Sequence, residues 1–501
     1  MGSYAENCVV VEGDRIVHVG REESCRKYSG KASRIIDLKG SVLIPGLIDA
    51  HLHLSWLAIG LDWIDLRGAK SISEVVEAVR LRASRVEKGK WIIGRGWDHE
   101  LFHEKRLLTR WDLDEASPSN PVFLIRVCGH VGVVNSIALK SIGIEKYLEE
   151  YKGLIDIGKD GSPTGVLYED ALDIVYRNLP KPSLNELAER LQRVLSFLAS
   201  YGLTTVHSMN ASLEEFDALR ILEEKKQLPI RVRLFLSREA YEKIDKALLA
   251  KYKNNPMLSV KGVKVFMDGS FGARTAALKE PYSDDELSRG RLLMNAEEIA
   301  SLALELRRNG LILAVHAIGD RALEEVVKAL STTNIDNIRI EHASLTPPHI
   351  INSLALHKPL AVVVQPHFTI SDWWIEQRLG DRARFVYMFK SLMSKGIVLA
   401  GSSDAPVEPV NPWLSIAAAM HRGKLSHITP DEKLSISRVL SMYTIGGAIA
   451  SRDEGGIGLI KRGYLADLIA LDENPWSLSE YDIAGIRPKL VVVGGKIIYE
   501  Y

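Results

Sequence analysis

The chain of 501 residues has little cysteine, no excess of charge of either sign and no long apolar run. Its three cysteines, Cys8, Cys25 and Cys128, form no CxxC pair, so we expect neither a cysteine metal site nor a disulfide framework. Lysine plus arginine and aspartate plus glutamate number 64 each, which argues against a basic surface for nucleic acid. No run is long enough to span a bilayer, and "MGSYAENCVVVEGDRIVHVG" does not read as a signal peptide. We therefore expect a cytoplasmic protein without a nucleic-acid or membrane partner.

Both ends of the chain have the alternation that is typical of short β-strands. "NCVVVEGDRIVHVG" predicts a hairpin that turns at Gly13 and Asp14. At the other end, "ADLIALDENP" predicts one further strand, and "PKLVVVGGKIIYEY" predicts two strands joined at a Gly-Gly turn. The two ends together predict one small β domain, residues 1–43 plus 455–501.

Between the ends, eight short apolar strands alternate for the most part with helical patterns. The strands run from "LIPGLIDAHLHL" to "IVLAGSSDAPV", and such β-then-α repetition indicates a parallel sheet. Eight units predict a (β/α)₈ barrel over residues 44–454, whose active site lies at the carboxyl ends of the strands. Residues 60–180 are too many for one connection and predict an inserted subdomain after the first barrel strand, at the barrel mouth.

Six polar side chains fall near the carboxyl ends of these predicted strands. His51 and His53 are two residues apart and share one face of their strand. A lone histidine is more often a hydrogen-bonded core residue, but the joint placement of the set favours one site for zinc or a similar divalent ion. The six are His51 and His53 on strand one, Lys264 on strand four, His316 on strand five, His342 on strand six and Asp404 on strand eight.

Four more polar residues are candidates for contact with a substrate. Asp268 shares strand parity with Lys264, and it either orients the substrate or caps a loop. His207 and His367 end predicted strands two and seven, so both are expected to face the barrel mouth, as substrate contacts or as hydrogen-bond partners of ligands. His130 lies in the insertion, in "LIRVCGHVGVVNS".

Several motifs resemble one known family over nearly the whole chain. They include "PGLIDAHLHL", "PTGVLYED", "GVKVFMDGSFGARTAAL", "AVHAIGDRAL" and "GSSDAPVEPVNPW". The chain resembles the amidohydrolase superfamily, and within it the amidohydrolase-3 group of YtcJ-like metal-dependent hydrolases. The resemblance implies an α/β fold, a distorted TIM barrel flanked by a β-sandwich domain built from both termini. Group members have a further short strand before the first hairpin, so this chain is expected to begin late.

The resemblance also implies a cofactor and a ligand arrangement. Two Zn²⁺ ions, with Mn²⁺ or Fe²⁺ as alternatives, are bridged by a carbamylated (carboxylated) lysine that Lys264 matches. His51 and His53 hold the more buried ion, and His316 and His342 hold the other. Glu169 is a competing bridge, and a centre with one metal is a further alternative. Lys261 starts the same strand at an offset that predicts the opposite face.

The implied reaction is hydrolysis of a C–N bond in an amide, a cyclic amide or a urea-like group of a small molecule. A metal-activated water attacks, and Asp404 takes up its proton and returns it to the leaving amine. One alternative is a mononuclear aminohydrolase that deaminates a heterocycle, and another is a catalytically inactive scaffold with the same fold. The resemblance further suggests a homodimer.

Overall fold

A computed structural model describes residues 6–127, 129–332 and 335–501. It divides the chain into two compact units, one comprising Met1–Ala58 with Leu184–Tyr501 and the other Ile59–Ser183. Strands are numbered β1 to β20 and helices α1 to α19 in chain order. The expectations above that concern Cys128 and the first five residues fall outside the described residues.

The larger unit is built on one eight-stranded parallel sheet. Its strands are β4 (Leu47–Leu52), β11 (Leu203–Ala211), β12 (Arg231–Ser237), β13 (Leu258–Phe266), β14 (Ile312–Ala317), β15 (Ile338–His342), β16 (Ala361–Val364) and β17 (Leu399–Gly401). They follow one another in chain order across the sheet, from β4 at one edge to β17 at the other, and every neighbouring pair is parallel. The predicted α/β barrel is confirmed.

The two edge strands meet just beyond their carboxyl ends, and this nearly closes the sheet into a barrel. The backbone N–H of Asp404 donates to the carbonyl of His51 at 2.7 Å, and that of His53 donates to Ala405 at 2.8 Å. The side chain of Asp49 in β4 also accepts from the N–H of Ser403 at 3.1 Å. The seam therefore lies beside three of the predicted metal ligands.

Helices separate most of the barrel strands and bury one apolar face each. α11 begins with a capping box, in which Asn295 and Glu298 satisfy each other's backbone N–H groups, and it buries Ile299, Leu302 and Leu306. The helices of this unit after β11 are α8 (Leu213–Glu224), α9 (Arg238–Lys243), α10 (Lys246–Tyr252), α11 (Ala296–Arg308), α12 (Asp320–Thr332), α13 (Pro348–His357), α14 (Phe368–Ser371), α15 (Ile375–Leu379), α16 (Phe389–Ser394), α17 (Pro412–His421), α18 (Ile436–Ser441) and α19 (Gly447–Ala450). Before β11 lie α1 (Glu22–Ser29), α2 (Leu54–Gly60) and α7 (Leu184–Ala199).

Strands from both termini form the predicted small β domain. A four-stranded antiparallel sheet contains β3 (Val42–Pro45), β18 (Leu468–Leu471), β19 (Pro488–Val493) and β20 (Lys496–Glu500), and the hairpin is β1 (Cys8–Glu12) with β2 (Arg15–Gly20). The hairpin and the sheet share one apolar cluster, in which Ile16 packs with Leu468 and Leu490. The fold-class prediction is therefore confirmed for this domain as well.

The structure contains one disulfide that the sequence analysis did not predict. Cys8 in β1 and Cys25 in α1 are bonded to each other, with Cα atoms 6.5 Å apart. The hairpin reverses the chain between them, so residues 17 apart in sequence become neighbours. Cysteine spacing alone does not reveal this pairing.

The second unit has a sheet of its own. Its strands, in sheet order, are β5 (Ile64–Asp65), β6 (Ile92–Trp97), β7 (Val122–Arg126), β8 (Val131–Val134), β10 (Pro163–Tyr168) and β9 (Ile155–Ile157). Its helices are α3 (Ile72–Ala83), α4 (Arg110–Asp114), α5 (Ser136–Ile142) and α6 (Leu172–Asn178). The domain boundaries given from the sequence stay predictions. Among the described helices, none combines the length and apolar composition that crossing a membrane requires.

Candidate metal centre

The six predicted ligands all lie in or just beyond barrel strands. His51 is in β4, Lys264 in β13, His316 in β14 and His342 ends β15, whereas His53 and Asp404 follow β4 and β17. The rings form a chain of contacts, with centroids 5.5 Å apart for His51–His53, 5.0 Å for His51–His342 and 4.5 Å for His316–His342. The Lys264 Nζ lies 3.5 Å from the His51 Nε2. The structure thus brings the whole predicted set together.

Two of these residues have a backbone conformation that L side chains rarely adopt. His342 has φ 73° and Asp404 has φ 58°, both in the left-handed region. Such strain persists where the surroundings enforce it, and it is concentrated at functional sites. At His342, the turn lets consecutive residues, Glu341 and His342, both reach the same group of side chains, which strict strand alternation would prevent.

The proton on His51 is fixed by a buried carboxylate. The His51 Nδ1 lies 2.7 Å from Glu341 Oε2, and Glu341 forms an ion pair with Arg339 at 2.6 Å. Burial alone would raise the pKa of Glu341, but Arg339 outweighs it and the pKa falls below its ordinary value. Because this carboxylate can only accept, the His51 Nδ1 carries the proton and its Nε2 presents a lone pair.

The same logic fixes the tautomers of His53 and His316. The His53 Nδ1 lies 3.2 Å from the carbonyl oxygen of Met209, and the His316 Nε2 lies 2.9 Å from that of Gly269. A carbonyl oxygen only accepts, so each of these nitrogens donates. The His53 Nε2 and the His316 Nδ1 are therefore free to bind a cation.

His342 is oriented by an amide whose own direction is set. Its Nδ1 lies 2.8 Å from Gln365 Oε1. The Gln365 Nε2 donates to the Ser402 hydroxyl at 3.0 Å, and that hydroxyl donates to the Val364 carbonyl. The amide oxygen therefore faces the imidazole and accepts from Nδ1, which leaves the His342 Nε2 with its lone pair.

The lone pairs of His51 and His53 converge on a carboxylate oxygen that has no hydrogen-bond partner among the described residues. The His51 Nε2 and the His53 Nε2 lie 3.4 Å and 3.2 Å from the same Asp404 Oδ1, which is buried and unsatisfied. Ligand atoms of His51, His342 and Asp404 all fall within 4.8 Å of one another. Acceptors that face acceptors repel, and a cation between them removes the repulsion. The donor set of imidazoles and a carboxylate therefore fits a divalent metal.

Burial keeps the imidazoles of His51, His316 and His342 neutral, as metal binding requires. Burial and then nearby cationic groups hold the pKa values of His51 and His342 well below the ordinary one. The pKa of His316 falls to about 3 for the same reasons, with Lys264 the main cationic neighbour. Burial also lowers the pKa of Lys264 to about 8, against the opposing influence of Glu341.

Lys261 and Lys264, both on β13, have separate partners. A register shift leaves Lys261 unpaired in the β12–β13 ladder, because Leu234 pairs with Val260 and Phe235 with Gly262. This is a β-bulge, so simple alternation does not describe the strand. The Lys261 Nζ bonds to Asp453 at 2.7 Å, and Lys264 is the lysine beside the histidines.

Asp268 caps a loop, which is one of the two alternatives given for it, and its contact with substrate stays a prediction. It is almost completely buried and accepts from the backbone N–H groups of Ala277, Ile318 and Gly319 at 2.8–3.0 Å. Burial raises its pKa to about 7. Its Oδ1 also lies 3.6 Å from the His316 Nε2, too far for a hydrogen bond.

His207 lies further from the end of its strand than the sequence suggests. β11 continues four residues beyond it, to Ala211, so His207 lies in the middle of the strand and is completely buried. Its Nδ1 accepts from the Arg339 Nη1 at 3.0 Å. It therefore supports Arg339, which in turn holds Glu341; substrate contact by His207 stays a prediction.

The remaining predicted contacts have acidic partners. His367 follows β16 and is hydrogen-bonded to Glu408. In the second unit, the His130 Nδ1 lies 2.7 Å from Glu169 Oε2, and both side chains are more than half exposed. Substrate contact by His130 and His367 stays a prediction, as does the alternative that Glu169 bridges metals.

Sequence reasoning did not find the residues that orient the ligands. Glu341, Arg339 and Gln365 lie in "IRIEHAS" and "LAVVVQPHF", inside apolar strands. A buried charge in such a strand is itself a signal, because an acidic or basic residue is almost never fully buried unless it is paired. Which partner each one meets depends on contacts between strands that the sequence does not show.

Comparisons with known proteins identify the family of the chain. The model of the amidohydrolase family matches residues 34–499. Three relatives align over nearly the whole chain: "Putative amidohydrolase YtcJ" of Bacillus subtilis at 34% identity (98% of this chain, 96% of the relative), "Protein LONG AFTER FAR-RED 3" of Arabidopsis thaliana at 31% (99% and 88%), and "N-substituted formamide deformylase" of Arthrobacter pascens at 26% (98% and 94%).

A solved structure gives the same result for the fold and the class of activity. An uncharacterized metal-dependent hydrolase from Pyrococcus horikoshii superposes with a TM-score of 0.82 at 34% identity, over 94% of this chain and 95% of the other. Likeness of this extent, together with a family match that covers most of the sequence, means that the chain belongs to the amidohydrolase family.

Proposed function

We propose that this protein is a metal-dependent hydrolase that cleaves a C–N bond in an amide, a cyclic amide or a urea-like group of a small molecule. The observation that carries the proposal is the convergence of the His51 Nε2, the His53 Nε2 and the unsatisfied Asp404 Oδ1. Family membership supports hydrolysis. The relative named N-substituted formamide deformylase supports the choice of a C–N bond.

Asp404 is the residue that moves a proton in this proposal. A bound divalent cation would polarise the substrate oxygen and make water acidic enough to act as a nucleophile near neutral pH. The carboxylate accepts a proton from the attacking water and returns it to the leaving nitrogen. Asp404 suits this task because its Oδ1 has no hydrogen-bond donor to hold it.

We further propose that Lys264 becomes a carbamate and binds metal through its new oxygens. The neutral amine adds to the carbon of CO₂ and loses one proton, so an ammonium that would repel cations becomes an anionic ligand. Its position, 3.5 Å from the His51 Nε2, supports this assignment. The carbamate would then join two ions, one near His51 and His53 and one near His316 and His342.

The carbamate can be detected directly. Protein equilibrated with ¹³C-bicarbonate should show a carbamate signal by ¹³C NMR. The signal should disappear in Lys264→Met and remain in Lys261→Met, a matched control on the same strand whose amine bonds to Asp453 instead. A signal that survives in Lys264→Met would contradict the assignment.

Turnover of small model substrates tests the proposed function. Metal-loaded protein should hydrolyse some member of a panel of N-substituted amides, cyclic amides and ureas, and Asp404→Asn should not. Release of ammonia from a heterocycle, without cleavage of any amide, would favour the aminohydrolase alternative. A protein that binds metal but turns over no member of either panel would favour the inactive scaffold.

A further inference from the structure

An exposed tryptophan lies directly against one of the candidate ligands. Trp56 is in α2, three residues after His53, and its ring stacks on the His53 ring with centroids 5.0 Å apart and an angle of 27°. The residue is nevertheless 60% exposed. Single exposed apolar residues need no explanation, but a wide ring that is open to solvent beside a buried polar centre offers a surface for an apolar ligand.

A second exposed apolar residue is close in the chain to the same aspartate. Val407 is 54% exposed, and its backbone N–H donates to the Asp404 carbonyl at 2.9 Å. The Asp404 Oδ1 in turn lies 3.2 Å from the His53 Nε2. Trp56 and Val407 therefore both lie near Asp404, one through the His53 ring and the other through a turn of the chain.

The far side of the centre has a different apolar residue. Phe266, at the end of β13, is 36% exposed and lies against the His316 ring at 5.3 Å. The Lys264 Nζ is 4.9 Å from the centroid of the Phe266 ring. Phe266 thus lies on the side of Lys264 and His316, whereas Trp56 lies on the side of His53. The two ends of a bound substrate would therefore contact different apolar side chains.

The chemistry determines which end of the substrate meets Trp56. In the proposed reaction, Asp404 gives its proton to the leaving nitrogen, so that nitrogen must come within hydrogen-bond reach of this carboxylate. A group attached to the nitrogen then extends over the surfaces that flank Asp404. The acyl part, on the other side of the scissile bond, extends toward Phe266.

We infer that Trp56 and Val407 form a subsite for an apolar group, an aryl or branched alkyl substituent, on the leaving nitrogen. The preferred substrates are then amides of an apolar amine. This inference rests on the proposed function, because the proton transfer by Asp404 is what places the leaving nitrogen on this side. A flat ring is the favoured occupant, because aromatic side chains bind aromatic groups by stacking or edge contact.

A comparison of matched substrates tests the subsite. The ratio of kcat/KM for N-benzylacetamide to that for N-methylacetamide should fall about tenfold in Trp56→Ala, in line with the discrimination that apolar pockets provide. Trp56→Phe should retain most of the ratio, and Val407→Ser should lower it less than Trp56→Ala. Phe197→Ala, which removes another partly exposed aromatic residue on α7, is the control and should leave the ratio unchanged.

The position of the phenyl group separates the two sides of the centre. With N-methyl-2-phenylacetamide, the ring moves to the acyl part, and its kcat/KM relative to N-methylacetamide should change less than twofold in Trp56→Ala. If the ratio for N-methyl-2-phenylacetamide falls in Trp56→Ala and the ratio for N-benzylacetamide does not, the subsite is assigned to the wrong side and the inference is overturned.

Binding of the amine product gives a reading that does not depend on turnover. By calorimetry, benzylamine should bind the metal-loaded wild type about tenfold more tightly than methylamine, and Trp56→Ala should remove this preference. If no amide is hydrolysed but this preference exists and requires Trp56, the proposed function fails and the apolar subsite stands. If wild type shows no preference, or Trp56→Ala keeps it, the subsite is refuted even where amides are hydrolysed.

Discussion

Each histidine of the centre has one nitrogen committed to a protein acceptor and the other left with a lone pair. His51 is held by Glu341, His342 by Gln365 and His53 by a backbone carbonyl. The acceptors fix both the tautomer and the direction of each ring before any cation binds. The centre is therefore preorganised, and the cation would replace repulsion between acceptors with attraction.

Replacing Asp404 with asparagine should remove most of the hydrolytic activity. An amide cannot take a proton from the attacking water, and proton transfer by a positioned group contributes about 10²- to 10⁴-fold to rate. The kcat of Asp404→Asn should fall by that factor on a substrate that the wild type cleaves. The control is Asp217→Asn, which alters a partly exposed side chain on α8 and should leave kcat unaltered. Full activity in Asp404→Asn would rule out the proton role.

Replacing Gln365 with leucine should weaken metal binding without removing a ligand. The variant leaves the His342 Nδ1 without its acceptor at 2.8 Å, so the ring loses its orientation. Loss of such an orienting partner lowers metal affinity about 10- to 100-fold. Competition against a chelator of known affinity measures this, with Gln192→Leu on α7 as the control. Unchanged affinity in Gln365→Leu would mean that the acceptor does not hold the ring.

The sequence predicts some of these residues and not others, for a definite reason. His51 and His53 are predictable, because a spacing of two on a strand places them on one face. His207 is misplaced because the strand runs four residues further than its pattern suggests. Glu341 and Gln365 act through side chains that are 290 and 23 residues away in the chain. Only the packing of the strands brings such pairs together.

At the scale of elements, the seam between β4 and β17 holds the centre in place. It joins the chain at His51 and His53 to the chain at Asp404 and Ala405 by two backbone hydrogen bonds. Close packing behind β17 supports it. Gly401, the last residue of that strand, lies against the ring of the fully buried Tyr443, with no room for a methyl group.

Gly401→Ala should therefore destabilise the protein by about 1–3 kcal/mol, which is typical of overpacking in a core. The added carbon would overlap the Tyr443 ring, which cannot move freely in a filled interior. Chemical denaturation of the metal-free protein measures the free energy of unfolding. Gly485→Ala, where the new carbon meets open space, should change it by less than about 0.5 kcal/mol. If the two changes lower the free energy of unfolding equally, β17 can move away from the Tyr443 ring and the overpacking argument is wrong.

The pattern of elements was more predictable than their irregularities. All eight apolar segments form the expected strands, because each is a short buried run bounded by turn residues. The bulge at Lys261 and the left-handed turn at His342 are absent from the pattern. Both depend on the local balance of ladder pairing and packing, which a periodicity of two does not contain.

At the scale of the molecule, a second charged cluster lies on other barrel residues. Asp453 bonds to Arg233 and to Lys261 at 2.7 Å each, largely out of contact with solvent. Burial alone would raise the pKa of Asp453, but the two cations outweigh it and hold the pKa well below its ordinary value of 3.8. The ionised carboxylate therefore stabilises the folded chain, fully above about pH 4 and less as the pH falls toward the lowered pKa.

Asp453→Asn should destabilise the protein by about 3 kcal/mol at pH 7, because it leaves two buried cations without their counter-charge. Below about pH 4 the difference between wild type and variant should shrink, since Asp453 takes up a proton in the unfolded wild-type chain there, while the folded chain keeps it ionised. Urea denaturation at pH 7 and pH 3 measures both values. Glu242→Gln, in an exposed helical ion pair, should change little at either pH. A difference that grows toward low pH would contradict the assignment.

Long-range assembly of the chain was predictable in outline. Strand patterns at both termini predicted a shared small domain, and β3 pairs with β18 across more than 400 residues. The disulfide between Cys8 and Cys25 was not foreseen, because three scattered cysteines carry no signature of pairing. The family resemblance supplied the carbamate at Lys264 and the number of ions, which patterns of residues do not give.

The most direct test of the account is metal content per chain. Protein produced with zinc and bicarbonate, and never exposed to a chelator, should contain about two divalent ions per chain by elemental analysis. In His51→Ala/His53→Ala this content should fall by at least half, whereas His349→Ala, an exposed histidine on α13, should leave it unchanged. A wild-type protein that contains no metal and takes up none on reconstitution would contradict the account.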